Sequence, residues 1–359
     1  MKKIVLTGGG TAGHVTPNIA LLPALQAVGY EIAYVGSYEG IEKKLIADFN
    51  IPYTGISTGK FRRYLDPKNF SDPFRVMKGF VEARNYLKNY QPDVVFSKGG
   101  FVSVPVVRAA ASLHIPCIIH ESDMTPGLAN KLCIPVAEKV CCNFPETMKN
   151  IPADKAVLTG SPIRAELAQG SRLAGLNMCG FTANKPVIMV IGGSLGAANV
   201  NKAVRDALPK LLEDFQVVHL CGKDKIDNLL LNTPGYKQFE YIKAELKDIF
   251  AMADVVISRA GANAICELLA LKKPNILIPL PAASSRGDQL LNAASFEAQG
   301  YSIVLNEDDI TTNLLVDKVH ELYFNRQNYV EAMSRSHQMD AVNTIMLLIN
   351  EAANKSHTQ

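Results

Sequence analysis

Apolar runs of strand length alternate with helix-like patterns along the chain, and one arrangement of them occurs twice. Each copy predicts a strand, a glycine cluster, a helix and a second strand. The first copy occupies Lys3–Thr7, Gly8-Gly9-Gly10, about 17–28 and Glu31–Val35, and the second occupies Pro186–Ile191, Gly192-Gly193, about 198–213 and Gln216–Leu220. Short strands that alternate with helices are typical of parallel sheets covered on both faces. The sequence therefore predicts two doubly wound α/β domains.

A shorter repeat supports the same prediction. The stretch Asp93–Gly100 resembles Asp254–Gly261, and a helical pattern follows each. Ligands of such sheets bind at the carboxyl ends of the strands, so we expect two sites that face each other across a cleft. The Gly and Pro of Thr159–Pro162 predict a domain boundary. Residues 166–185 are interpreted as a connection, and the C-terminal helix over about 339–353 fits either domain.

Composition narrows the class of protein. Of 359 residues, 48% are hydrophobic and 20% are charged, and the net charge of +3 gives no reason to expect a nucleic-acid partner. Seven cysteines without a Cys-x-x-Cys pair argue against a disulfide framework or a zinc site. Apolar neighbours predict buried thiols at Cys117, Cys141, Cys142 and Cys266. No apolar run resembles a signal peptide or reaches about 18 residues, so a cytoplasmic protein with peripheral membrane contact is expected.

The first glycine loop, Gly8-Gly9-Gly10-Thr11-Ala12-Gly13-His14, follows a strand and opens a helix. Its Gly-x-Gly-x-x-Gly pattern also fits a nicotinamide-binding domain. The acidic residue expected at the end of the next strand is missing there, although Glu39 lies close by. A purely structural turn is a further alternative, but it leaves the position of His14 without a reason.

Two more loops have the composition of phosphate sites. Gly192–Ala197 is predicted to hold a diphosphate through main-chain N–H groups and the Ser194 hydroxyl. Lys98–Ser103 is a candidate for the phosphates of an acceptor, through Gly99, Gly100 and Phe101. Both loops also fit simple turns.

The second domain carries further candidates for nucleotide-sugar binding. Arg259 at a strand end suits a phosphate and Glu267 suits ribose hydroxyls, with an ordinary ion pair as the alternative. Asp288, Gln289 and Asn292 are candidates for sugar hydroxyls. No Asp-x-Asp motif occurs in the sequence, so we expect no metal and no cofactor, with backbone amides and arginine stabilising the leaving group.

Residues 60–88 combine eight basic with three acidic residues, a local net charge of +5, and interleave large apolar ones. The basic residues are Lys60, Arg62, Arg63, Lys68, Arg75, Lys78, Arg84 and Lys88, and the apolar ones include Phe61, Tyr64, Leu65, Phe70, Phe74 and Phe80. This composition predicts contact with an anionic membrane. A solvated helix whose apolar face lies in the core is the alternative.

Together, these motifs resemble the MurG family of N-acetylglucosaminyltransferases over nearly the whole chain. The matching segments are Gly9–His14, Lys98–Ser103, His120–Asp123, Pro126–Asn130, Gly160–Arg164, Gly192–Ala197, Arg259–Ala262 and Asp288-Gln289. The resemblance implies the GT-B fold. It also implies an N-terminal acceptor and membrane-facing domain over 1–162 that takes in the C-terminal helix of 340–359, and a UDP-N-acetylglucosamine-binding domain over 163–339.

The resemblance also implies roles for single residues. The residues expected on the donor are Thr11, Ala12, Gly13, Arg164, Ser194, Ile242, Arg259, Ala262, Asn263, Ala264, Ile265, Cys266, Glu267 and Gln289, and those expected on the acceptor are Gly99, Gly100, Phe101 and Asn130. The Ile242 backbone is expected to contact uracil. The chain departs from the family at Ala12, usually glycine, and at Asp123, usually an asparagine that reaches the donor sugar.

The implied reaction is an inverting, metal-independent transfer of N-acetylglucosamine from UDP to the 4-hydroxyl of a lipid-linked muramyl-pentapeptide, at the cytoplasmic face of the membrane. His14 is the first candidate for the general base, and Asp123 and Glu121 are the alternatives. Three other functions stay open: a non-hydrolysing UDP-N-acetylglucosamine epimerase, a nicotinamide-dependent oxidoreductase, and a non-catalytic nucleotide-sugar sensor.

Overall fold

The structure, a computed structural model, describes residues 1–59, 68–192, 197–282 and 287–356 of the chain. It divides into two compact units. The first comprises Met1–Arg164 and Asp340–Gln359, and the second comprises Ala165–Met339. The first unit therefore ends at Arg164, where the sequence suggested Pro162.

The first unit is built on a parallel sheet whose seven described strands run in the order β3-β2-β1-β4-β5-β6-β7. Its strands are β1 (Lys3–Thr7), β2 (Glu31–Ser37), β3 (Tyr53–Ile56), β4 (Val94–Ser97), β5 (Cys117–Glu121), β6 (Lys139–Cys142) and β7 (Ala156–Leu158). Its helices are α1 (Thr16–Ala27), α2 (Ile41–Ile46), α3 (Lys68–Tyr90), α4 (Ser103–Ser112), α5 (Leu128–Cys133) and α6 (Pro145–Met148).

The second unit is built on a parallel sheet whose six described strands run in the order β10-β9-β8-β11-β12-β13. Its strands are β8 (Val187–Ile191), β9 (Gln216–Leu220), β10 (Tyr236–Phe239), β11 (Val255–Ser258), β12 (Asn275–Leu277) and β13 (Ser302–Val304). Its helices are α7 (Arg172–Cys179), α8 (Ala198–Asp214), α9 (Leu246–Met252), α10 (Ala262–Ala270), α11 (Asp288–Ala298), α12 (Thr312–Phe324) and α13 (Arg326–Ser334).

The central strands are apolar at successive positions because helices cover both faces of each sheet. In β1, Ile4 and Leu6 belong to one hydrophobic cluster and Val5 to another on the opposite face. All three side chains are buried. Alternate residues of a strand point to opposite faces, so a strand between two helical layers must be apolar throughout.

The internal repeat produces the same hydrogen bond in both units, between an aspartate before one central strand and the main chain of its neighbour. The carboxylate of Asp93, just before β4, accepts a hydrogen bond from the Lys3 main-chain N–H at 2.6 Å. The carboxylate of Asp254, just before β11, accepts one from the Val187 main-chain N–H at 2.8 Å. In each unit this bond fixes the start of one central strand against its neighbour. The prediction of two doubly wound units is confirmed.

The interpretation of residues 166–185 as a connection is wrong. The segment contains α7, capped at its start by Ser171, whose hydroxyl accepts from the Ala174 N–H, and ended by Gly180 at φ 69°. Gly175 weakens the helical pattern in the sequence, but its missing side chain lets α7 pack closely on α9. A Cβ there would lie 2.4 Å from the main-chain oxygen of Asp248.

The last helix, α14 (Ala341–Ser356), packs on the first sheet. Its residues Ile345 and Ile349 join the cluster of Ile4 and Leu6. The Tyr30 hydroxyl donates to Asn350 Oδ1 at 2.9 Å. Among the described residues, no helix is both long and apolar enough to cross a bilayer.

All seven cysteines are buried free thiols, which confirms the prediction for Cys117, Cys141, Cys142 and Cys266. Burial raises the pKa of six of these thiols, that of Cys133 to about 12; the six are Cys117, Cys133, Cys141, Cys142, Cys179 and Cys221. These side chains act as small hydrophobic residues.

Candidate functional site

The first glycine loop leads from β1 into a short 3-10 turn, Ala12–His14, and then into α1. His14 lies partly buried at the end of this turn. Its Nδ1 lies 3.0 Å from the main-chain oxygen of Gly9 and 3.2 Å from the Thr11 hydroxyl. A carbonyl oxygen can only accept, so Nδ1 carries the proton of the neutral ring and Nε2 is left with the basic lone pair.

The electrostatic surroundings favour the neutral form of His14. Burial, followed by the Lys98 ammonium, lowers the pKa of His14 from its ordinary value. The hydrogen bond to Gly9 and the Glu42 carboxylate act in the opposite direction. A neutral ring with a basic Nε2 is the form that a general base requires.

The third loop, after β4, packs directly against the first. The Gly9 main-chain N–H donates to Gly99 O at 3.3 Å. Gly100 has φ 87°, a left-handed conformation that favours glycine. A Cβ at Gly100 would lie 2.3 Å from Gly9 O and 3.2 Å from His14 Nδ1. The neighbouring strands β1 and β4 thus bring His14, Gly99 and Gly100 together.

The loop after β5 is folded around Glu121. This buried carboxylate accepts from the Asp123 N–H at 2.9 Å, the Gly127 N–H at 3.0 Å and Asn130 Nδ2 at 2.8 Å. Burial raises the pKa of Glu121, and the hydrogen bonds oppose that shift. Asp123 is partly exposed in the same loop, and Asn130 lies buried against Gly99.

A buried polar group lies between the ends of β4 and β5, and its residues belong to motif segments in which they had no predicted role. Lys98 Nζ lies 2.9 Å from His120 Nδ1 and donates to the Ser122 hydroxyl. His120 Nε2 lies 2.9 Å from Gly160 O. Since that carbonyl can only accept, Nε2 carries the proton and Nδ1 accepts from Lys98. Burial, and then Lys98, hold the pKa of His120 well below its ordinary value.

In the second unit, Gly192 follows β8 and Ala197 precedes α8. The rest of this loop, Ser194 included, lies outside the described residues. Ile242 is buried just after β10. Arg164, partly exposed, is the last residue of the first unit before the chain enters the second.

Arg259 lies in an ion pair, which is the alternative to the predicted phosphate contact. Its guanidinium forms a buried ion pair with Glu307 and donates to the main-chain oxygens of Ile278 at 3.0 Å and Pro279 at 3.2 Å. The sequence did not indicate Glu307, because this contact spans almost 50 residues. Arg259 thus joins the ends of β11 and β12 to the chain after β13.

The candidate donor residues of α10 and α11 lie at the carboxyl ends of β11 and β12. The first turn of α10, Ala262 to Ala264, is partly exposed, whereas Ile265 and Cys266 are buried and Glu267 is partly exposed. The first N–H groups of a helix have no partner within it, so they can bind an anion. Gln289 Oε1 accepts from the Leu280 N–H at 3.1 Å, and Asn292 Nδ2 donates to Ala260 O at 3.0 Å.

The membrane-contact prediction falls partly on residues whose placement is not described: residues 60–67, and the side chains of 68–73. The described part of α3 exposes Phe74, Met77 and Val81 beside Arg75 and Lys78. Phe80, by contrast, is partly buried and packs on the hydrophobic core. Phe80 therefore fits the alternative prediction, a helix whose apolar face lies in the core. Met77 and Val81 are exposed apolar residues that were not among the predicted membrane contacts.

Comparisons with known proteins agree with this architecture. Residues 4–142 match the glycosyltransferase family 28 N-terminal domain, and residues 187–348 match the glycosyltransferase family 28 C-terminal domain. The chain is 64% identical over 351 residues to a UDP-N-acetylglucosamine–N-acetylmuramyl-(pentapeptide) pyrophosphoryl-undecaprenol N-acetylglucosamine transferase from Lachnospira eligens, covering 98% of this chain and 99% of the relative.

Two solved structures are also similar. A crystal structure of MurG from Acinetobacter baumannii is 29% identical, with a TM-score of 0.77, and the match covers 98% of this chain and 100% of that one. A putative UDP-N-acetylglucosamine 2-epimerase from Listeria monocytogenes has a TM-score of 0.70 at 14% identity, covering 100% and 97%. The second likeness shows the fold alone. The predicted GT-B fold class is confirmed, and the chain belongs to glycosyltransferase family 28 and, within it, to the MurG family of glycosyltransferases.

Proposed function

We propose that the chain transfers N-acetylglucosamine from UDP-N-acetylglucosamine to the 4-hydroxyl of N-acetylmuramyl-(pentapeptide) pyrophosphoryl-undecaprenol in peptidoglycan synthesis. The observation that carries this proposal is the 64% identity, over 98% of the chain, to a relative named for this transfer. The epimerase and oxidoreductase alternatives have no comparable support.

The reaction is an inverting displacement at the anomeric carbon of N-acetylglucosamine. The acceptor oxygen forms a bond to that carbon on one face, the bond to the UDP oxygen breaks on the other, and UDP leaves with the electron pair. The acceptor hydroxyl loses its proton during the attack. A base within hydrogen-bond reach must take this proton.

His14 fits the role of this base better than the two carboxylates. Its Nδ1 proton is directed to Gly9 O, so Nε2 is the basic atom of the neutral ring. The lowered pKa of His14 keeps the ring neutral near pH 7. Glu121 is a weaker candidate because three hydrogen bonds hold its oxygens within its own loop. Asp123 is the remaining alternative, partly exposed in that loop.

For the second unit, we assign the donor to the carboxyl ends of its strands. The first turn of α10 and the loop 192–197 supply main-chain N–H groups for the diphosphate, and Glu267 accepts the ribose hydroxyls. Gln289 is assigned to the sugar, and the backbone at Ile242 to uracil. Arg259 supports this site by fixing the strand ends, because its guanidinium is already paired with Glu307.

Part of α3 is assigned to the cytoplasmic membrane surface. Phe74, Met77 and Val81 are exposed beside Arg75 and Lys78. Each basic residue near an anionic surface contributes about 1 kcal/mol. Replacing both Phe74 and Met77 by serine should weaken sedimentation with phosphatidylglycerol vesicles, and undiminished binding would reject this assignment.

One assay tests the proposed transfer. The protein is incubated with sugar-labelled UDP-N-acetylglucosamine, with and without the lipid-linked muramyl-pentapeptide. We expect label to enter the lipid and UDP to be released only when the acceptor is present. Conversion of the donor without lipid would indicate an epimerase or hydrolase, and no conversion in either arm would indicate a binding protein.

A further inference from the structure

A fully buried carboxylate lies beneath the loop that carries His14. Glu42, in the first turn of α2, accepts through Oε2 from the Gly10 main-chain N–H at 3.1 Å. Its Oε1 accepts from the main-chain N–H of Ser37 at 2.9 Å and from the Ser37 hydroxyl at 2.5 Å. One side chain therefore joins the end of β2 to the glycine loop after β1.

Three glycines leave the space that this carboxylate occupies. A Cβ at Gly9 would lie 2.5 Å from Glu42 Cδ, and one at Gly36 would lie 2.8 Å from Glu42 Cγ. A Cβ at Gly40 would lie 2.1 Å from Glu42 Oε1. No side chain larger than hydrogen fits at these positions without displacing Glu42. The glycine pattern of this region thus accommodates an internal anion.

This arrangement changes how the first glycine loop is interpreted. In a nucleotide-binding loop, N–H groups of this kind bind a phosphate. Here the Gly10 N–H is already bonded to a carboxylate, and a phosphate placed beside it would meet a like charge. The loop is therefore suited to holding His14 in place, and less suited to holding a nucleotide.

A buried cation lies against the same loop from the other side. Lys98 is 1% exposed, and its Cβ lies 3.2 Å from the position that a Cβ at Gly8 would occupy. Its Nζ donates to His120 and Ser122, at the end of β5. Lys98 thus connects the glycine loop to the segment that continues into Asp123.

We propose that Glu42 and Lys98 are positioning residues for the transfer reaction, two buried opposite charges that hold the His14 loop between them. This inference rests on the proposed function, in which His14 takes the proton. Two charged groups act on His14 from the packed elements, Glu42 from α2 and Lys98 from the end of β4, and His14 in turn lowers the pKa of His120 in β5.

The two charges predict opposite effects on the acidic limb of the pH profile of kcat/KM. Protonation of His14 abolishes its function as a base, so activity falls as the pH drops through its pKa. Glu42 favours the protonated ring, so Glu42→Gln should move the acidic limb to lower pH. Lys98 disfavours the protonated ring, so Lys98→Met should move the limb to higher pH.

The test measures the pH profiles and donor KM of the wild type, Glu42→Gln, Lys98→Met and the control Asp93→Asn. Asp93 also holds a main-chain N–H with its carboxylate, but at the opposite end of β1. We expect Glu42→Gln to lose about tenfold or more in kcat with little change in donor KM, because a loop displaced by about 1 Å costs up to 100-fold. Asp93→Asn should leave the limb where it is.

A second readout does not depend on activity. NMR titration of the histidine ring protons, with the His14 signal assigned from His14→Gln, should show the same two opposite shifts in the free protein. Shifts of one sign, or none in folded variants, would overturn the inference. If the titration shifts as expected but no lipid product forms in any variant, the proposed function fails and the positioning of His14 stands.

Discussion

Lys98 and Arg259 occupy equivalent positions in the two repeats, after a central strand, and both are buried. Each directs its charge toward the end of the next strand of its sheet. Lys98 bonds to His120 and Ser122 at the end of β5, whereas Arg259 bonds to Ile278 O and Pro279 O after β12 and pairs with Glu307.

The two cations therefore differ in their effect on the surrounding groups. The charge of Arg259 is balanced by the Glu307 carboxylate, so Arg259 mainly fixes the ends of strands. Lys98 bonds to a neutral histidine, and its charge acts on His14 as well. In the proposed mechanism, the same position of a duplicated fold therefore stabilises one unit and tunes the general base of the other.

The largest expected effect comes from breaking the buried pair of the second unit. Glu307→Gln leaves the Arg259 guanidinium buried without its counter-charge. Such a loss costs about 3–5 kcal/mol, so urea unfolding should show a strongly reduced midpoint. The control is Glu321→Gln, which removes the exposed Lys318–Glu321 pair and should cost no more than about 1 kcal/mol. Equal midpoints for the two variants would contradict the structural role of Arg259.

A smaller effect should distinguish the two equivalent glycines that follow these cations. Gly100 has φ 87°, and a Cβ there would lie 2.3 Å from Gly9 O. Gly261 has φ −67°, with nothing within 4 Å of such a Cβ. We therefore expect Gly100→Ala to lower the free energy of unfolding by about 1–3 kcal/mol and Gly261→Ala to change it by less than about 0.5 kcal/mol.

Thermal or urea unfolding of both glycine variants checks this difference. Similar losses would show that the two loops are under the same constraint. That result would remove the argument that the first loop is packed tightly around His14.

Much of the fold follows from local patterns in the sequence. The buried strand β1 could be predicted from its uninterrupted apolar run, and the helix α8 from the regular spacing of its apolar residues. The segment that contains α7 was missed because Gly175 serves a contact with α9 that only the tertiary structure reveals. Phe80 was included among the predicted membrane contacts because composition does not show which face of α3 packs on the core.

The positions of the candidate residues could be predicted where a motif follows a strand, and not where distant residues meet. His14, Gly99 and Gly100 follow glycine-rich strand ends, and adjacent strands bring them together. Glu42 gave no such signal, because its role depends on the return of the chain from β2 to the first loop. Glu307 was missed for the same reason, since it meets Arg259 only in the folded unit.

The most direct test of the account compares His14→Gln with the wild type in the lipid-dependent transfer assay, while UDP affinity is measured by calorimetry. A lost general base costs about 100- to 10,000-fold in rate. We predict a loss of that size in kcat with UDP affinity within about threefold of the wild type. Turnover of His14→Gln close to that of the wild type would contradict the assignment of His14 as the base.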